Sequence, residues 1–181
     1  MSKSSSPAKP TDSIVIRPAM PKDVRAIAAL VKPYADKRVL IEKKLISYFE
    51  DVQEFLVAQS QTGDIIGCGA LHVMWDDIAE VRTLAVAADY QTAGIGSCIL
   101  TALIERARNM ELERIFCLTF EVDFFSRHGF IEISGMPVGI DVYARMLASH
   151  DEGVREFLDL AAVKPNTLGN TRMILELNQT P

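Results

Sequence analysis

Along the chain the apolar positions switch between a period of two and a period near 3.6, the spacings that separate strands from helices. Ile14–Arg17 is a short strand-like run. Behind it, "PAMPKDVRAIAALVKPYA" places Val24, Ile27, Ala28 and Val31 at helical spacing, with Pro21 in the first turn and Asp23 near the positive end of the dipole. Leu40–Asp51 reads as a second helix. "EFLVAQ" and "IIGCGALHV" are strands joined by "SQTGD", where Gly63 and Asp64 supply turn chemistry, and "AEVRTLAV" is the third strand of that meander. A long helix is predicted from about Ile95 to Met110. Its buried stripe is Ile95, Ile99, Ala102, Leu103, Ala107 and Met110, and Thr101, Glu105 and Arg108 face solvent.

"RIFCLTF" follows as a buried strand. "VDFFSRHGF" reads as a short helix stopped by Gly129, with Phe130 returning to a strand. Residues 141–161 carry two helical stripes, Tyr143, Met146 and Leu147, then Val154, Phe157, Leu158 and Ala161. Pro165 ends the second stripe, and "RMILEL" is a last strand. Neither a regular βαβ alternation nor a pure meander gives this order, so an α+β fold is predicted, with a mixed, mostly antiparallel sheet flanked by helices.

Composition narrows the picture. A chain of 181 residues suits one domain, taken as residues 14–178 behind a disordered Ser-, Pro- and Lys-rich tail at 1–13. The net charge of −5 argues against non-specific nucleic-acid binding while leaving room for a local basic pocket. No segment has the apolar length of a membrane helix or the apolar middle of a secretion signal. Cys68, Cys98 and Cys117 lack zinc-type spacing and read as free thiols, so a cytoplasmic protein without a metal is expected. His72, His128 and His150 form no metal pattern and no nucleophile pair. Cys98 sits at a helix start that could lower its pKa, without a base nearby in sequence.

The chemistry concentrates in "AEVRTLAVAADYQTAGIGSCILTALIERAR", residues 79–108. A helix start leaves backbone N–H groups unpartnered and carries partial positive charge, so an anion can dock there if small residues let it approach. Ala93, Gly94, Gly96 and Ser97 meet that need. Two readings of these glycines stand: a cradle for a diphosphate, or a tight loop relieving backbone strain. An unbroken period of two sets Glu80, Arg82, Leu84 and Val86 on one strand face and Val81, Thr83 and Ala85 on the other. Glu80 and Arg82 are then near neighbours, either as a functional pair or as a solvated salt bridge.

"QTAGIG" resembles the [Q/R]-x-x-G-x-[G/A] signature of the GCN5-related N-acetyltransferases, and "FFSRHGF" resembles that family's "FYxxxGF" segment. The order of elements over residues 14–178 fits the family too. More narrowly, "EFLVAQ…IIGCGALHV…AEVRTLAV" and "CLTFEVDFFSRHGF…EFLDLAAVKPNTLGNTRMIL" are similar to the acetyltransferase domain of N-acetylglutamate synthases, above all its short stand-alone actinobacterial form. The resemblance implies transfer of acetyl from acetyl-CoA to the α-amine of glutamate or glutamine for arginine biosynthesis; the alternatives are an acetyltransferase for another small amine or a protein N-terminus, and a non-catalytic acyl-CoA-sensing module. The long forms' kinase-like, arginine-binding domain has no room in 181 residues, so their feedback is not expected.

Carried onto this chain, the resemblance makes Glu80 the general base. It puts the thioester and pantetheine against Leu84, Ala85 and Val86, and the pyrophosphate against Gln91, Thr92, Ala93, Gly94, Ile95, Gly96 and Ser97. An acceptor with carboxylates needs cations and polar groups, for which Lys43, Arg82, Lys164, Asn170, Thr171 and Arg172 are the candidates. The family's frequent general-acid Tyr is replaced here by Phe125, leaving the acid unassigned; Tyr90 is expected to pack beside the loop. The partners expected are the small-molecule substrates, with no nucleic acid and no membrane; a homodimer is left open.

Overall fold

The structure is a computed structural model and describes residues 14–40, 43–135, 137–149, 151, 154 and 169–177. A seven-stranded sheet runs in the order β1-β2-β3-β4-β5-β7-β6. Its strands are β1 (Val15–Pro18), β2 (Phe55–Gln59), β3 (Ile65–Val73), β4 (Ile78–Val86), β5 (Arg114–Thr119), β6 (Ile131–Glu132) and β7 (Thr171–Glu176). All neighbours are antiparallel except β4 and β5. The helices are α1 (Val24–Asp36), α2 (Leu45–Glu50), α3 (Ile95–Asn109), α4 (Val122–Ser126) and α5 (Ile140–Met146).

The predicted second helix is shorter than Leu40–Asp51, because Lys44 is still extended (φ −67°, ψ 149°) and the helix starts only at Leu45. The tail at 1–13 and the stripe residues Phe157, Leu158 and Ala161 lie outside the described residues; Val154 is buried. On α3 the buried face is Ile95, Ile99, Leu100, Leu103, Ile104 and Ala107, whereas Met110, at the helix C-cap, is 47% exposed. The predicted stripe therefore gains Leu100 and Ile104, keeps Ala102 only half-buried at its edge, and loses Met110.

Apolar side chains fill both faces of the sheet. On one face α3 covers Leu56, Ala58, Leu71, Ala79, Val81 and Ile115. On the other, α1 lays Val24, Ile27 and Val31 over Val57, Cys68, Ala70 and Ala85, while Met146 and Val154 cover Ile78 and Phe116. The close seat of α3 explains two glycines of β3: a Cβ on Gly67 would meet Ile99 at 2.8 Å, and one on Gly69 would meet it at 2.9 Å. Any larger residue there would push α3 off the sheet.

Two irregularities in β4 shape the molecule. First, Ala70 pairs with Arg82 and Cys68 with Ala85, so Thr83 and Leu84 together oppose Gly69. This is a bulge, and Thr83 holds it with a left-handed φ of 57°, a costly conformation for a β-branched residue. Second, β4 and β5 pair only at Ile78–Arg114, Ala79–Ile115 and Glu80–Phe116. Beyond Glu80 the two strands part: β5 continues its ladder with β7, and the β5-facing edge of β4 opens into a wedge.

Candidate active site

The wedge opens toward the C-terminal ends of two adjacent parallel strands, where the chain turns into α3 after β4 and into α4 after β5. At the turn after β4, Gly94 adopts a left-handed φ of 75° as the N-cap of α3, and a Cβ there would meet nothing within 4 Å. The first bond of the helix runs from Cys98 N–H to the Gly94 carbonyl at 3.1 Å, which leaves the N–H groups of Ile95, Gly96 and Ser97 at the helix's open end. Gln91, Thr92 and Gly94 are exposed, while the Ile95 side chain is buried and anchors the helix in the core. A Cβ on Gly96 would stand 3.6 Å from the Phe124 ring, so α3 and α4 meet at this corner. The residues present therefore form a positively polarised, small-residue cradle suited to a diphosphate.

The backbone of Leu84, Ala85 and Val86 lines the wedge, but their side chains do not follow the unbroken alternation expected from sequence. The bulge inverts it: Leu84 and Val86 pack on the α3 side with Ala79 and Val81, and Ala85 packs on the α1 side. The four predicted face-mates therefore split, Glu80 and Arg82 on one face and Leu84 and Val86 on the other. The Val86 carbonyl accepts the Tyr34 hydroxyl at 2.5 Å, and the Gln91 side chain donates to that hydroxyl at 2.9 Å, tying α1 to the end of β4 and to the loop.

Glu80 sits where β4 and β5 separate and is buried, 5% exposed. Arg82 Nη1 lies 3.8 Å from Glu80 Oε2. The same guanidinium donates to Asp151 at 2.9 and 3.3 Å and to Glu54 Oε2 at 3.1 Å, with Asp51 at 3.8 Å. His72 Nδ1 is 2.7 Å from the other Glu54 oxygen, and Lys43 Nζ is 3.2 Å from Asp51. Burial works against the charge on Arg82, but the Asp151 bonds and the charges of Glu80 and Glu54 outweigh it and raise its pKa. Burial raises the Asp151 carboxyl too, yet its bonds from Arg82 and from the Val154 N–H bring it down to about 2. Glu54 is lowered likewise: burial is outweighed by His72 and Arg82. On β5, burial and the Glu80 charge push Cys117 well up, and Cys68, under the bulge, is pushed by burial to about 12.

Arg172 lies opposite Leu118 on β7, and Leu118 packs with Phe116 and Ile78, so register places Arg172 on the sheet face of Glu80 and Arg82. Its Nη1 donates to the Gly135 carbonyl at 2.7 Å. Its Nη2 and the Asn170 Oδ1 are buried without hydrogen-bond partners among the described residues. Burial lowers the Arg172 pKa. Thr171 pairs with Thr119 across the ladder. Lys164 lies outside the described residues.

Phe125 is buried edge-on between Phe124 and Phe130. Tyr90 packs against the α3-side core and Tyr143 against Met146 and Phe116. Sequence reading missed Asp51, Glu54, His72 and Asp151 as neighbours of Arg82, and Tyr34 as a partner of the loop. Among the described residues no group of three or more His, Cys, Asp and Glu is arranged to hold a metal ion. No helix among them is long and apolar enough to cross a membrane.

Known proteins resemble the chain in sequence and in fold. The chain is 52% identical to an amino-acid acetyltransferase of Mycobacterium tuberculosis over 90% of this chain and 94% of that one. A Mycobacterium tuberculosis crystal structure in complex with CoA and NLQ superposes with a TM-score of 0.85 at 52% identity, covering 90% of this chain and 99% of that one. The N-acetylglutamate synthase of Neisseria gonorrhoeae, complexed with coenzyme A and N-acetyl-glutamate, shares the fold: TM-score 0.73, 22% identity, 93% of this chain and 36% of that one. The profile of the acetyltransferase (GNAT) family matches residues 23–130, and the chain belongs to that family.

Proposed function

We propose that the protein transfers the acetyl group of acetyl-CoA to the α-amine of glutamate or glutamine, yielding the N-acetyl amino acid for arginine biosynthesis. The observation that carries this reading is the placement of a buried carboxylate, Glu80, at the apex of a wedge whose mouth holds the open N-terminus of α3. It is supported by likeness over nearly the whole chain to an amino-acid acetyltransferase.

In this scheme the pyrophosphate rests on the N–H groups of residues 94–97, with Gln91, Thr92 and Ala93 beside it. In this reading the pantetheine lies along the open edge of β4 at Leu84–Val86, where a main-chain N–H on the side away from β3 would offer a hydrogen bond to the thioester oxygen as it gains charge. Glu80 takes a proton from the acceptor's ammonium, the neutral amine attacks the thioester carbon, and the C–S bond breaks. The amine's second proton goes to the departing sulfur. No aromatic hydroxyl is required there, since a thiol of pKa about 8.5 is a tolerable leaving group and Phe125 has none to give.

Arg172, Asn170 and Thr171 hold the acceptor's carboxylates, with Lys43 and Lys164 adding positive charge. Arg82 contributes its charge while keeping its own hold on Asp151 and Glu54. The enzyme works in the cytoplasm in this reading, and a homodimer is its proposed assembly.

Thiol release from acetyl-CoA, measured with glutamate, glutamine and a panel of other amines, is expected only with the first two. Turnover on unrelated amines would remove the arginine-pathway assignment while sparing the coenzyme site. Glu80→Gln should lower kcat on the order of a hundredfold and shift the pH profile; unchanged rates across pH would remove Glu80 from the chemistry.

A further inference from the structure

The reaction turns an ammonium, R–NH3+, and a thioester into an amide, a thiol and one released proton. That proton reaches Glu80, which is 5% exposed, so each turnover must deliver it onward to solvent before the carboxylate can act again.

His72 stands directly across the β3–β4 ladder from Glu80. Opposed side chains on adjacent strands share a face with Cβ atoms about 5 Å apart. The His72 ring is fixed by Glu54, whose Oε1 lies 2.7 Å from Nδ1. Glu54 is itself held by two arginines. Arg82 Nη2 donates to its other oxygen, and Arg106 of α3 donates to the main-chain carbonyls of Glu54 at 3.2 Å and Gln53 at 2.6 Å.

A carboxylate on Nδ1 selects the tautomer with the proton on Nδ1, which leaves the Nε2 lone pair free to accept. Nε2 lies 3.9 Å from Asp151 Oδ1, and the His72 side chain is 16% exposed against 5% for Glu80, so the ring reaches solvent where the buried carboxylate barely does. The other charged groups around it are Asp51 and Lys43 beside α2 and Arg82 on β4.

We infer that His72, oriented by Glu54, is the proton outlet of the active site: its Nε2 accepts the proton that Glu80 collects from the acceptor amine and passes it to solvent. This rests on Glu80 as the base. The balance is closed: one N–H bond of the ammonium breaks as an O–H bond forms on Glu80, that proton moves to Nε2, and it leaves to buffer. The Glu80 carboxylate and the open Nε2 of His72 are restored.

The test is His72→Ala assayed with saturating substrates in buffers of increasing imidazole concentration. The expected result is a kcat lowered on the order of tenfold, with both KM values within about twofold of the parent. Added imidazole should restore the rate, more strongly as rising pH deprotonates the imidazole. Glu54→Gln should give a similar loss, since it removes the group that fixes the tautomer. A His72→Ala enzyme that keeps its kcat, or loses it without any response to imidazole, overturns the outlet. Glu80→Gln separates the two readings. If it abolishes turnover while His72→Ala does not respond, only the outlet fails; if it leaves turnover and its pH profile unchanged, the base assignment fails and the outlet with it. A thermal melt and acetyl-CoA titration of each variant identify a folding defect, and there His72→Gln, which keeps the bulk, replaces the alanine and is read by kcat alone: a loss on the order of tenfold at unchanged KM values supports the outlet, and an unchanged kcat overturns it.

Discussion

At the scale of single residues, two arginines on one face of the sheet have unlike surroundings. Arg82 is surrounded by Asp151, Glu54, Asp51 and Glu80, all from the chain itself. Among the described residues Arg172 has one main-chain partner and a buried nitrogen without one. Arg172→Ala is therefore expected to raise the KM for the amino acid about tenfold and to leave the KM for acetyl-CoA nearly unchanged, since a charged hydrogen bond is worth about 1.5–3 kcal/mol. Arg82→Ala should cost about 3 kcal/mol of stability, because removing one partner strands buried charge, and denaturant unfolding would read it. Equal KM effects of the Arg172 change on both substrates would assign that residue to general architecture. The Glu80–Arg82 pairing was legible from their spacing on one strand. The Glu54, His72 and Asp151 contacts were not: these residues come from a 3₁₀ turn, a neighbouring strand and a segment 69 residues beyond Arg82, and only the register brings them together.

The elements show where periodicity works and where it stops. β2, β3, α3 and β5 were all legible from apolar spacing within a residue or so, because each buries a continuous face. β4 broke the rule at Thr83, where a residue with no turn preference takes a left-handed backbone and reverses every side chain after it. Nothing in the local sequence marks that bulge, since glycine, the usual signal of positive φ, is absent from β4. The start of α3 was legible because glycine does mark it. Gly96→Leu places a side chain between the helix start and Phe124. It should raise the KM for acetyl-CoA tenfold or more, an effect of about 1.4 kcal/mol or above, with the amino-acid KM little changed. Steady-state kinetics with each substrate varied in turn would check this, and an unaltered coenzyme KM would move the pyrophosphate elsewhere.

For the molecule as a whole, the carboxylates around Arg82 link stability to acidity. Asp151 titrates at about 2 in the fold against an ordinary 3.8. A depressed carboxyl contributes stability that is fully present above its unfolded pKa and is lost as pH falls through its folded one. The advantage of the parent over Asp151→Asn should thus be constant from pH 7 to 5, on the order of 1–2 kcal/mol, and should fade between about pH 4 and pH 2. Denaturant unfolding at a series of pH values would show it, and a difference independent of pH would mean that the contact is not ionic.

The strand order also divides the protein in a mechanical sense. Four strands lie on one side of the wedge and three on the other, and the two groups are laced by only three residue pairs along the β4–β5 line. This line is the sheet's seam. A coenzyme seated along it would act as a rivet, so the same molecule that donates the acetyl group would close this short join across the sheet. Each release of spent coenzyme would then reopen the seam, and the enzyme would alternate between a fastened and a loosened body with every turnover.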